Sequence, residues 1–391
     1  MPVTRKICVV TGSRAEYGLI HPLLSLLVQD PACVLQLVVT GMHLSPEFGS
    51  TAAVIEADGF PIARKVAMLL SSDSPAGIAK SIGVGVIGFA DAFESLRPDV
   101  VVLLGDRFEM FAAAQAALVA RLPIGHIHGG EITEGLIDDA IRHAITKMAH
   151  FHFTSAEPHR RRVIQLGESP DRVFNVGAIG HDVIRGMALL DRAGLERELG
   201  FALGAVNFLV TYHPVTLSRA APTEALAALL AALDRFPAAH VIFTKPNADT
   251  DGRIIGEQID RYCASRPGRA IAVTSLGQRR YLSAIKLVDA VIGNSSSGLI
   301  EVPEFRKPTV NIGPRQRGRL KAASVIDCDE SADDIASAIA TALAPQFKTV
   351  LQTFTSPYHG TNVAQQIMTV LKTAELGGVI MKRFFDLDVR A

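Results

Sequence analysis

The chain has 391 residues, of which 48% are hydrophobic and 20% charged, and this length and composition exclude general disorder and favour two globular domains. Lysine plus arginine and aspartate plus glutamate both number 39, so no net field attracts nucleic acid or a membrane, and an anionic ligand must be bound by local groups. The four cysteines lack the paired spacing of a zinc site, and no apolar run looks long enough for a membrane span. We therefore expect reduced thiols, no metal and a cytoplasmic location.

Short apolar runs alternate with amphipathic stretches along almost the whole chain. The runs that predict strands are, in order, KICVVTG, VLQLVVTG, DVVVLLGD, PIGHIHGG, HFHFTS, RVFNVG, NFLVTYHP, HVIFTKPN, AIAVTS, DAVIGNSSSG, PTVNIG and ASVIDC. Most have apolar residues at consecutive positions, which is typical of parallel strands covered on both faces. Stretches such as MFAAAQAALVAR and TEALAALLAALDRF lie between them and predict helices. The alternation occurs twice, so we predict an α/β fold with two Rossmann-like, doubly wound domains.

The boundary between the two predicted domains falls where the strand pattern stops, within residues 180–206. We assign residues 1–185 to an N-terminal domain and residues 206–355 to a C-terminal domain. Residues 356–391 are expected to form a helix that packs back across the boundary. Because parallel α/β sheets bind ligands beyond the carboxyl ends of their strands, we look for a site among the residues that follow each strand, in a cleft that the two domains face.

Two strand-like runs of the first half end in charged residues. Arg14 follows CVVTG at the start of a helix, where it either binds an anion together with the free backbone amides or is a solvated residue beside a helix cap. Asp106 and Arg107 follow VVVLLG. A carboxylate at a buried strand end is costly without a partner, so Asp106 is either paired with Arg107 or used for chemistry.

The run PIGHI is followed by a histidine, two glycines and a glutamate, which are His128, Gly129, Gly130 and Glu131. The glycines are expected to let a ligand approach the backbone. His126 and His128 are not expected to share a metal ion. The histidine and the glutamate are therefore candidates for acid/base work.

The stretch IDDAIRHAI opens the next predicted helix with two acids. Asp138 and Arg142 are four residues apart, as are Asp139 and His143, and this spacing predicts pairing on one face of the helix. Such pairs are typical of surface support, but an acid in the first turn can still reach the ligand side.

In the second half, polar residues again follow strands. His213 directly follows the run FLVTY. Lys245 directly follows the run VIFT, and Asn247 lies two residues further on. A lone histidine is more often structural than catalytic, but its position beside other strand-end polar groups favours a role in the site.

Three serines and a glycine, Ser295, Ser296, Ser297 and Gly298, separate a strand-like run from the stretch GLIEVPEF, which predicts a helix. One serine would cap that helix, whereas several hydroxyls with the first-turn amides would bind an anion without net positive charge. Glu301 in the same stretch could accept hydrogen bonds from both hydroxyls of a ribose. This arrangement predicts a nucleotide diphosphate. The motif GVGVIG lies within a helical stretch, so a redox dinucleotide is not expected.

As a set, these motifs resemble the hydrolysing UDP-N-acetylglucosamine 2-epimerases of sialic-acid and legionaminic-acid biosynthesis. The motifs are TGSRAEYG, LLGDRFEM, HGGEITEGLIDDAIRHAITKMAHFHF, TYHP, KPNAD, GNSSSGLIEVP and NIGPRQRGR, in order over residues 11–319. The resemblance implies two Rossmann-like domains of the type B glycosyltransferase architecture. It also implies a UDP-sugar substrate, a homodimer or homotetramer, and no metal or redox cofactor.

The resemblance further implies elimination followed by hydration. A base removes the proton from carbon 2 while the nucleoside diphosphate leaves carbon 1, which gives a 2-acetamidoglucal. Water then adds, and carbon 2 is protonated from the opposite face, which releases N-acetylmannosamine in addition to UDP. The chemistry needs an acid/base group near each face of carbon 2 and a stabilised leaving diphosphate.

The family's functional positions fall on particular residues of this chain. Asp106 and Asp138 match its motif acids, and His213 matches its motif histidine. The remaining matches and neighbours, which the resemblance implies to bind substrate or nucleotide, are Arg14, Arg107, Asn247, Ser295, Ser296, Gly298, Glu301 and Arg315.

One position departs from the family pattern. Some members carry a glutamate with an acid/base role directly before the paired glycines, and here that position is His128. Either His128 takes the role, or Glu131 does, or the work is divided differently. The loop EITEGLIDD is also one residue longer than in some relatives. Both differences lie on the sugar side and leave the exact substrate open. The resemblance places UDP-N-acetylglucosamine first, with UDP-N,N'-diacetylbacillosamine of the legionaminic-acid pathway as the alternative.

Three other functions share the predicted fold or ligand: a type B glycosyltransferase, a non-hydrolysing epimerase and a non-catalytic protein that binds nucleotide sugars. The acid/base set at Asp106, Asp138 and His213 favours elimination over glycosyl transfer. A non-catalytic binding protein would keep the serines and lose the acids, and here the acids are present.

Overall fold

The structure is a computed structural model that describes residues 4–46, 49–70, 72, 74–133, 137–213, 222–245, 252–274 and 276–387. Contacts within the chain divide it into two compact units. The first unit comprises Met1–Ile132, Leu136–Val183 and Tyr358–Ala391, and the second comprises Thr133–Gly135 and Ile184–Pro357.

A seven-stranded sheet forms the centre of the first unit. Its strands are β1 (Arg5–Thr11), β2 (Cys33–Thr40), β3 (Ile62–Val66), β4 (Val100–Leu104), β5 (Ile124–Ile127), β6 (Phe151–Thr154) and β7 (Val173–Asn175). They pair in the order β3-β2-β1-β4-β5-β6-β7, and all of these pairings are parallel. The helices that follow the strands are α1 (Arg14–Gln29), α2 (Ala52–Ala57), α3 (Pro75–Leu96), α4 (Phe108–Val119), α5 (Ile137–Met148) and α6 (Glu157–Gln165), and α7 (Gly180–Gly186) carries the chain onward.

The second unit repeats this plan with six strands. They are β8 (Val206–Thr211), β9 (Ala239–Thr244), β10 (Ala270–Val273), β11 (Ala290–Gly293), β12 (Thr309–Ile312) and β13 (Val325–Cys328), in the parallel order β10-β9-β8-β11-β12-β13. Its helices are α8 (Arg192–Leu199), α9 (Pro222–Asp234), α10 (Gly252–Ala264), α11 (Gly277–Leu287), α12 (Ser297–Ile300), α13 (Ala332–Leu343) and α14 (Pro345–Thr353).

The C-terminal segment returns to the first unit, where its helix α15 (Val363–Thr373) packs beside α1. The backbone N–H of Ala364 at the start of α15 donates to the Asp182 carboxylate at 2.6 Å. At the other end, the Arg5 guanidinium donates to the carbonyl oxygens of Leu371 and Ala374, each at 2.8 Å. Both ends of the helix are therefore fixed to the first unit by hydrogen bonds.

Apolar side chains cover both faces of the first sheet, as strand β4 illustrates. Val100, Val102 and Leu104 belong to one buried cluster, together with α1 and α15. Val101 and Leu103 alternate with them and belong to a second cluster, with α3 and α4. Because successive side chains of a strand point to opposite faces, this alternation requires helices on both sides of the sheet. The predicted α/β fold with doubly wound parallel sheets is confirmed.

Each of the apolar runs that predicted a strand contains one, and the sequence analysis missed only strand β3 of the first sheet. Its sequence, IARKV, has three exposed residues in the middle. It pairs with β2 alone, at the edge of the sheet, so the consecutive apolar positions that identify a central strand are not required there. The motif GVGVIG lies inside helix α3, as predicted.

Helix α3 is, by length and composition alone, able to cross a membrane, because its 22 residues include an 18-residue window of mean hydropathy 1.4. The sequence analysis did not single it out, since Lys80, Asp91 and Glu94 interrupt the run. A third of the window is buried, at 33%, and Phe89 and Phe93 pack in the core of the first unit. A core helix meets the same criterion, so this one is weak evidence for a membrane span.

Candidate active site

The candidate residues cluster at the point in each sheet where the strand order reverses. In the first unit this is between β1 and β4, and in the second it is between β8 and β11. The loops after such a pair of strands diverge to opposite faces of the sheet and leave space for a ligand. Arg14, Asp106 and Arg107 follow β1 and β4, whereas His213 and the serines follow β8 and β11.

Asp106 pairs with Arg142 of helix α5, and not with the adjacent Arg107. The Nη2 atom of Arg142 donates to Oδ2 of Asp106. The Arg142 side chain is 3% exposed and that of Asp106 is 21% exposed, so a buried guanidinium holds a partly accessible carboxylate. The ion pair between Asp106 and Arg107, which was one interpretation of the sequence, does not form. The arginine that does pair with Asp106 lies 36 positions along the chain.

Arg142 connects several parts of the first unit. Its Nη1 atom donates to the backbone carbonyl oxygen of Glu131 at 3.0 Å and lies 3.9 Å from Oδ1 of Asp139. The pairing of Arg142 with Asp138 that the helical spacing predicted is therefore replaced by these contacts. Asp138, half-buried in the first turn of α5, instead helps to raise the pKa of Arg107. The predicted pair of Asp139 and His143 forms at 3.6 Å.

Arg107 is held by two acids that the sequence analysis did not select. Its Nε and Nη2 atoms donate to the carboxylate of Glu109 at 3.1 and 3.0 Å. The carboxylate of Glu16 lies 3.9 Å from Nε. Burial raises the pKa of Glu16 to about 7, although Arg107 acts in the opposite direction. Arg14, at the start of α1, is exposed.

His128 and Glu131 form a contact with each other. The distance between Nδ1 of His128 and Oε1 of Glu131 is 3.4 Å. Ser155 donates to the same carboxylate oxygen at 2.6 Å, and the backbone N–H of Ile179 donates to Nε2 of His128 at 3.4 Å, near the long limit for a hydrogen bond. His128 has a φ of 66°, a left-handed conformation that is strained for a residue with a side chain. His128 and Glu131, between which the sequence did not decide, therefore form a contacting pair.

His126, by contrast, is a structural residue. It is fully buried, with Nε2 2.8 Å from the carbonyl oxygen of Gly105 and Nδ1 3.1 Å from the hydroxyl of Thr146. Burial lowers its pKa to about 3, so the ring is neutral near pH 7. A neutral ring donates through Nε2 and accepts at Nδ1, which fixes the end of β4 against α5.

The paired glycines serve the packing of the protein itself. A Cβ atom on Gly130 would lie 2.4 Å from the carbonyl oxygen of His159, and one on Gly129 would lie 2.9 Å from the Thr146 hydroxyl. The absence of a side chain at both positions is therefore required by the packing of the protein itself.

In the second unit, Asn294 joins the ends of β8 and β11. Its side chain is fully buried, accepts from the backbone N–H of His213 at 2.8 Å and donates to the His213 carbonyl oxygen at 2.8 Å. Gly293 before it has a φ of 138°, and a Cβ atom there would lie 1.9 Å from the Thr211 carbonyl oxygen. The sequence analysis did not select this asparagine among the candidate residues. Its position between a glycine and a serine run was the available signal.

His213 is neutral in the structure. Burial lowers its pKa to about 4, and the positive charge of Arg315 acts in the same direction. Its Nδ1 atom is buried and makes no hydrogen bond to the residues that the structure describes. A neutral imidazole at this strand end is suited to hydrogen bonding with a ligand oxygen.

The serine segment forms a shorter helix than the sequence predicted. Helix α12 spans Ser297–Ile300, and a separate 3₁₀ helix, Val302–Phe305, follows it. Ser296 at its N-cap makes no side-chain cap hydrogen bond, whereas the hydroxyl of Ser295 accepts from the backbone N–H of Ser297 at 3.4 Å. Ser295 and Ser296 are half-buried beside the end of β11, whereas the Oγ atom of Ser297 is fully buried, so a helix cap does not account for all three serines.

The small size of Gly298 has a packing reason. A Cβ atom there would lie 2.6 Å from the Cγ2 atom of Thr309. The Thr309 hydroxyl donates to the Gly298 carbonyl oxygen at 2.7 Å. This glycine therefore fits α12 against β12, and its presence in the motif needs no ligand.

The other nucleotide candidates are placed in part. Arg315 donates from Nη1 to the carbonyl oxygen of Asn294 at 2.9 Å, which brings its guanidinium to the serine segment. Glu301 directly follows α12 and is half-buried. Asn247 lies outside the described residues. In the described part of the chain, no group of three or more His, Cys, Asp or Glu side chains is arranged to hold a metal ion.

Residues 26–372 match the family model described as UDP-N-acetylglucosamine 2-epimerase. The chain is 42% identical to GDP/UDP-N,N'-diacetylbacillosamine 2-epimerase (hydrolyzing) of Campylobacter jejuni, covering 98% of this chain and 99% of that protein. It is 40% identical to polysialic acid biosynthesis protein P7 of Escherichia coli, covering 94% of each. It is 36% identical to UDP-N,N'-diacetylbacillosamine 2-epimerase (hydrolyzing) of Legionella pneumophila, covering 97% and 98%.

Solved structures share the fold at lower sequence identity. The UDP-GlcNAc 2-epimerase from Neisseria meningitidis bound to UDP-GlcNAc matches with a TM-score of 0.72 and 17% identity, covering 94% of this chain and 99% of that chain. At this identity the match establishes the arrangement of the chain and nothing about its ligand.

Proposed function

Because the chain belongs to the UDP-N-acetylglucosamine 2-epimerase family, we propose that it is a hydrolysing 2-epimerase that acts on a nucleotide-linked 2-acetamido sugar. It releases the nucleoside diphosphate and the free, 2-epimerised sugar. The observation that carries the proposal is the pairing of Asp106 with the buried Arg142, close to the paired His128 and Glu131. Arg142 contacts both places, through the Asp106 carboxylate and the Glu131 backbone.

The first unit supplies the proton transfers of the proposed reaction. Epimerisation at carbon 2 needs one group to remove a proton and a second to return one on the opposite face. Asp106, held in place by Arg142, is one such group. The His128–Glu131 pair is the other, with Asp138 as a further acid in the first turn of α5. Fixing both groups before the substrate binds lowers the reorganisation that the reaction requires.

Within the pair, we assign the proton exchange to His128 and its orientation to Glu131. Glu131 is 6% exposed and His128 13% exposed in their side chains, so the imidazole is the more accessible of the two. A carboxylate at Nδ1 fixes the tautomer that leaves Nε2 as the basic atom. Nε2 must then exchange its long bond from the Ile179 N–H for one to the substrate.

The second unit stabilises the leaving nucleoside diphosphate. The hydroxyls of Ser295 and Ser296, the guanidinium of Arg315 and the neutral His213 provide donors for phosphate oxygens. Glu301 accepts hydrogen bonds from the ribose hydroxyls. This division requires no net positive charge on the chain, which fits the equal numbers of acidic and basic residues.

Two substrates remain candidates, and the relatives favour one of them. Proteins at 42% and 36% identity carry the name N,N'-diacetylbacillosamine 2-epimerase, so we propose UDP-N,N'-diacetylbacillosamine as the preferred substrate. UDP-N-acetylglucosamine, which the sequence placed first, becomes the second candidate. It is supported by a relative from Neisseria meningitidis with that name, at 29% identity over 98% of this chain.

The proposal is tested by incubating the protein with each nucleotide sugar and no acceptor, including the GDP-linked form that one relative's name contains. NMR of the products should find free manno-configured sugar and nucleoside diphosphate in equal amounts. A product that stays linked to the nucleotide would mean a non-hydrolysing epimerase. Turnover that appears only with an acceptor would mean a glycosyltransferase, and binding without turnover would mean a non-catalytic protein. Sedimentation of the same sample measures the homodimer or homotetramer that the resemblance implies.

A further inference from the structure

A fully buried acid in the first turn of α4, Glu109, holds the arginine that follows Asp106. The carboxylate is 0% exposed and accepts two hydrogen bonds from Arg107, at 3.1 Å from Nε and 3.0 Å from Nη2. Two parallel bonds fix the plane of a guanidinium as well as its distance. A buried carboxylate is costly to desolvate and is tolerated when it is paired in this way. Arg107 is therefore held in one orientation.

The protein makes room for Glu109 at two neighbouring strand ends. A Cβ atom on Gly12, after β1, would lie 3.3 Å from the Cβ atom of Glu109. A Cβ atom on Gly41, after β2, would lie 2.8 Å from Oε1 of Glu109, and Gly41 has a φ of 57°. Both loops thus have no side chain where Glu109 passes beneath them. The placement of this acid depends on the segments after β1 and β2, in addition to its own helix.

The second acid near Arg107 is engaged elsewhere. Oε2 of Glu16 accepts from the backbone N–H groups of Gly12 and Ser13 at 2.8 and 3.0 Å, and Oε1 is 3.9 Å from Nε of Arg107. Glu16 therefore completes the cap of α1, while Glu109 makes the hydrogen bonds to Arg107.

The edge of the Arg107 guanidinium that carries Nη1 is not used by Glu109. Its Nη1 atom makes no hydrogen bond to the residues that the structure describes, and the side chain is 37% exposed. A guanidinium that is already ordered loses less entropy when it binds an oxyanion than a flexible one does. Burial acts to lower the pKa of Arg107, but the neighbouring carboxylates, Glu109 above all, raise it overall, so the guanidinium is positively charged near pH 7.

We propose that Glu109 is a positioning residue that orients Arg107 so that the Nη1 edge binds a phosphoryl oxygen of the substrate beside Asp106. The inference rests on the proposed function, because the ligand is the diphosphate that leaves carbon 1. It assigns Glu109, which does not touch the substrate, a role in catalysis that acts through Arg107.

The test is a double-mutant cycle on the release of nucleoside diphosphate from the nucleotide sugar. Arg107→Ala should lower kcat/KM about 10²-fold, and Glu109→Gln at least about tenfold, as expected for hydrogen bonds to charged groups. The double variant should remain within about threefold of Arg107→Ala, because Glu109 has no effect once the arginine is absent. Independent effects that multiply in the double variant would overturn the proposal.

Glu168→Gln is the matched control for removing a buried carboxylate. Glu168 is 3% exposed and pairs with Lys147 and Lys382 in the first unit. This variant should lower the melting temperature at least as much as Glu109→Gln while kcat/KM stays within about threefold of the wild type. If both variants lose kcat/KM in parallel with stability, Glu109 is structural and the proposal is wrong.

Arg107→Lys provides a second test that leaves the buried acid intact. A lysine keeps the positive charge but cannot be held by two parallel bonds, so kcat/KM should fall at least about tenfold, as for other lost hydrogen bonds to charged groups. Wild-type kcat/KM in this variant would overturn the proposal. A wild-type protein that consumes no nucleotide sugar would refute the proposed function and this inference together, whereas an active wild type with multiplicative variants refutes the inference alone.

Discussion

The two units share a strand order and a reversal point but place different side chains there. In the first unit, the strand ends present carboxylates, guanidinium groups and an imidazole, namely Asp106 with Arg142, Arg107 with Glu109, and His128 with Glu131. In the second unit, the strand ends present one buried amide, Asn294, with serine hydroxyls. One sheet edge thus has groups that can exchange protons, and the other combines neutral donors and acceptors with the Arg315 guanidinium, a set suited to holding a charged ligand. The same topology supports both because the strand ends fix only positions, and the loops fix the chemistry.

The comparison predicts that changes to the acid/base groups of the first unit alter turnover, whereas changes in the second unit alter nucleotide affinity. The largest effect is expected for Asp106→Asn. Loss of an acid/base group lowers kcat by about 10³-fold, within the range for general acid–base catalysis. In calorimetric titration, the Asp106→Asn variant should bind UDP with the same affinity as the wild type. Asp139→Asn, four residues from His143 on the same helix as Arg142, is the control and should keep most of the turnover. Equal losses of turnover in both variants would mean that Asp106 acts only by pairing with Arg142 and is not an acid/base group.

His128→Gln should follow, with a loss of about 10²-fold in kcat, because glutamine keeps hydrogen bonding but cannot exchange a proton. His143→Gln is the control, since His143 pairs with Asp139 at the surface side of α5. Steady-state kinetics on both variants and on Glu131→Gln separates the roles. Near-normal kcat in His128→Gln, with Glu131→Gln inactive, would transfer the proton exchange to Glu131.

Low pH should lower the stability of the first unit more than that of the second. Burial lowers the pKa of several first-unit histidines, to about 3 or 4 for His126, His43, His150 and His159. An unfolded histidine takes up a proton below about pH 6.5, whereas these folded ones do so only near their lowered values. Their contribution to stability is therefore complete above about pH 6.5 and is lost as the pH falls towards 4, on the order of 2–3 kcal/mol for each by pH 4.5. Among the described histidines of the second unit, a lowered pKa is found for His213.

Hydrogen exchange at pH 7.5 and pH 5, corrected for intrinsic rates, measures this difference. The strands β4, β5 and β6 should lose protection before β8 and β11. Equal loss in both units would mean that buried histidines do not set the acid stability of the first unit.

The smallest effect is expected for Ser295→Ala, which should weaken UDP binding by about tenfold and leave the fold intact, the scale of one hydrogen bond to a charged group. Ser296→Ala should act similarly, and the two together should be close to additive in free energy. The control is Ser331→Ala, because Ser331 caps α13 by accepting from the Asp334 N–H at 3.1 Å. It should cost about 1 kcal/mol of stability and no affinity. Unchanged affinity after loss of both Ser295 and Ser296 would reduce the segment to a structural turn.

The sequence predicted the fold almost completely, because parallel strands covered on both faces require consecutive apolar residues, and those are visible in a single chain. Strand β3 was missed since an edge strand with exposed residues lacks that pattern. The short helix α12 was overestimated because Pro303 and the αL residue Arg306 shorten a stretch that composition alone assigns to a longer helix.

The candidate site was predicted by position and less well by partner. Strand-end residues such as Asp106 and His213 could be selected because the carboxyl ends of parallel strands share one edge. The pairing of Asp106 with Arg142 could not, since it spans 36 positions and depends on the direction of α5. Glu109 was not selected, because the features that distinguish it, its burial and the space above it at Gly12 and Gly41, are visible only in the structure.

Turnover in heavy water tests the central claim most directly. Elimination and rehydration remove the hydrogen of carbon 2 and return one from the solvent on the other face. The protein should therefore release manno-configured sugar that carries one deuterium at carbon 2, observed by proton NMR as the loss of that signal and its couplings. Free sugar of unchanged configuration that retains the original hydrogen at carbon 2 would contradict the account, because simple hydrolysis of the glycosyl bond would then explain the release of the nucleotide.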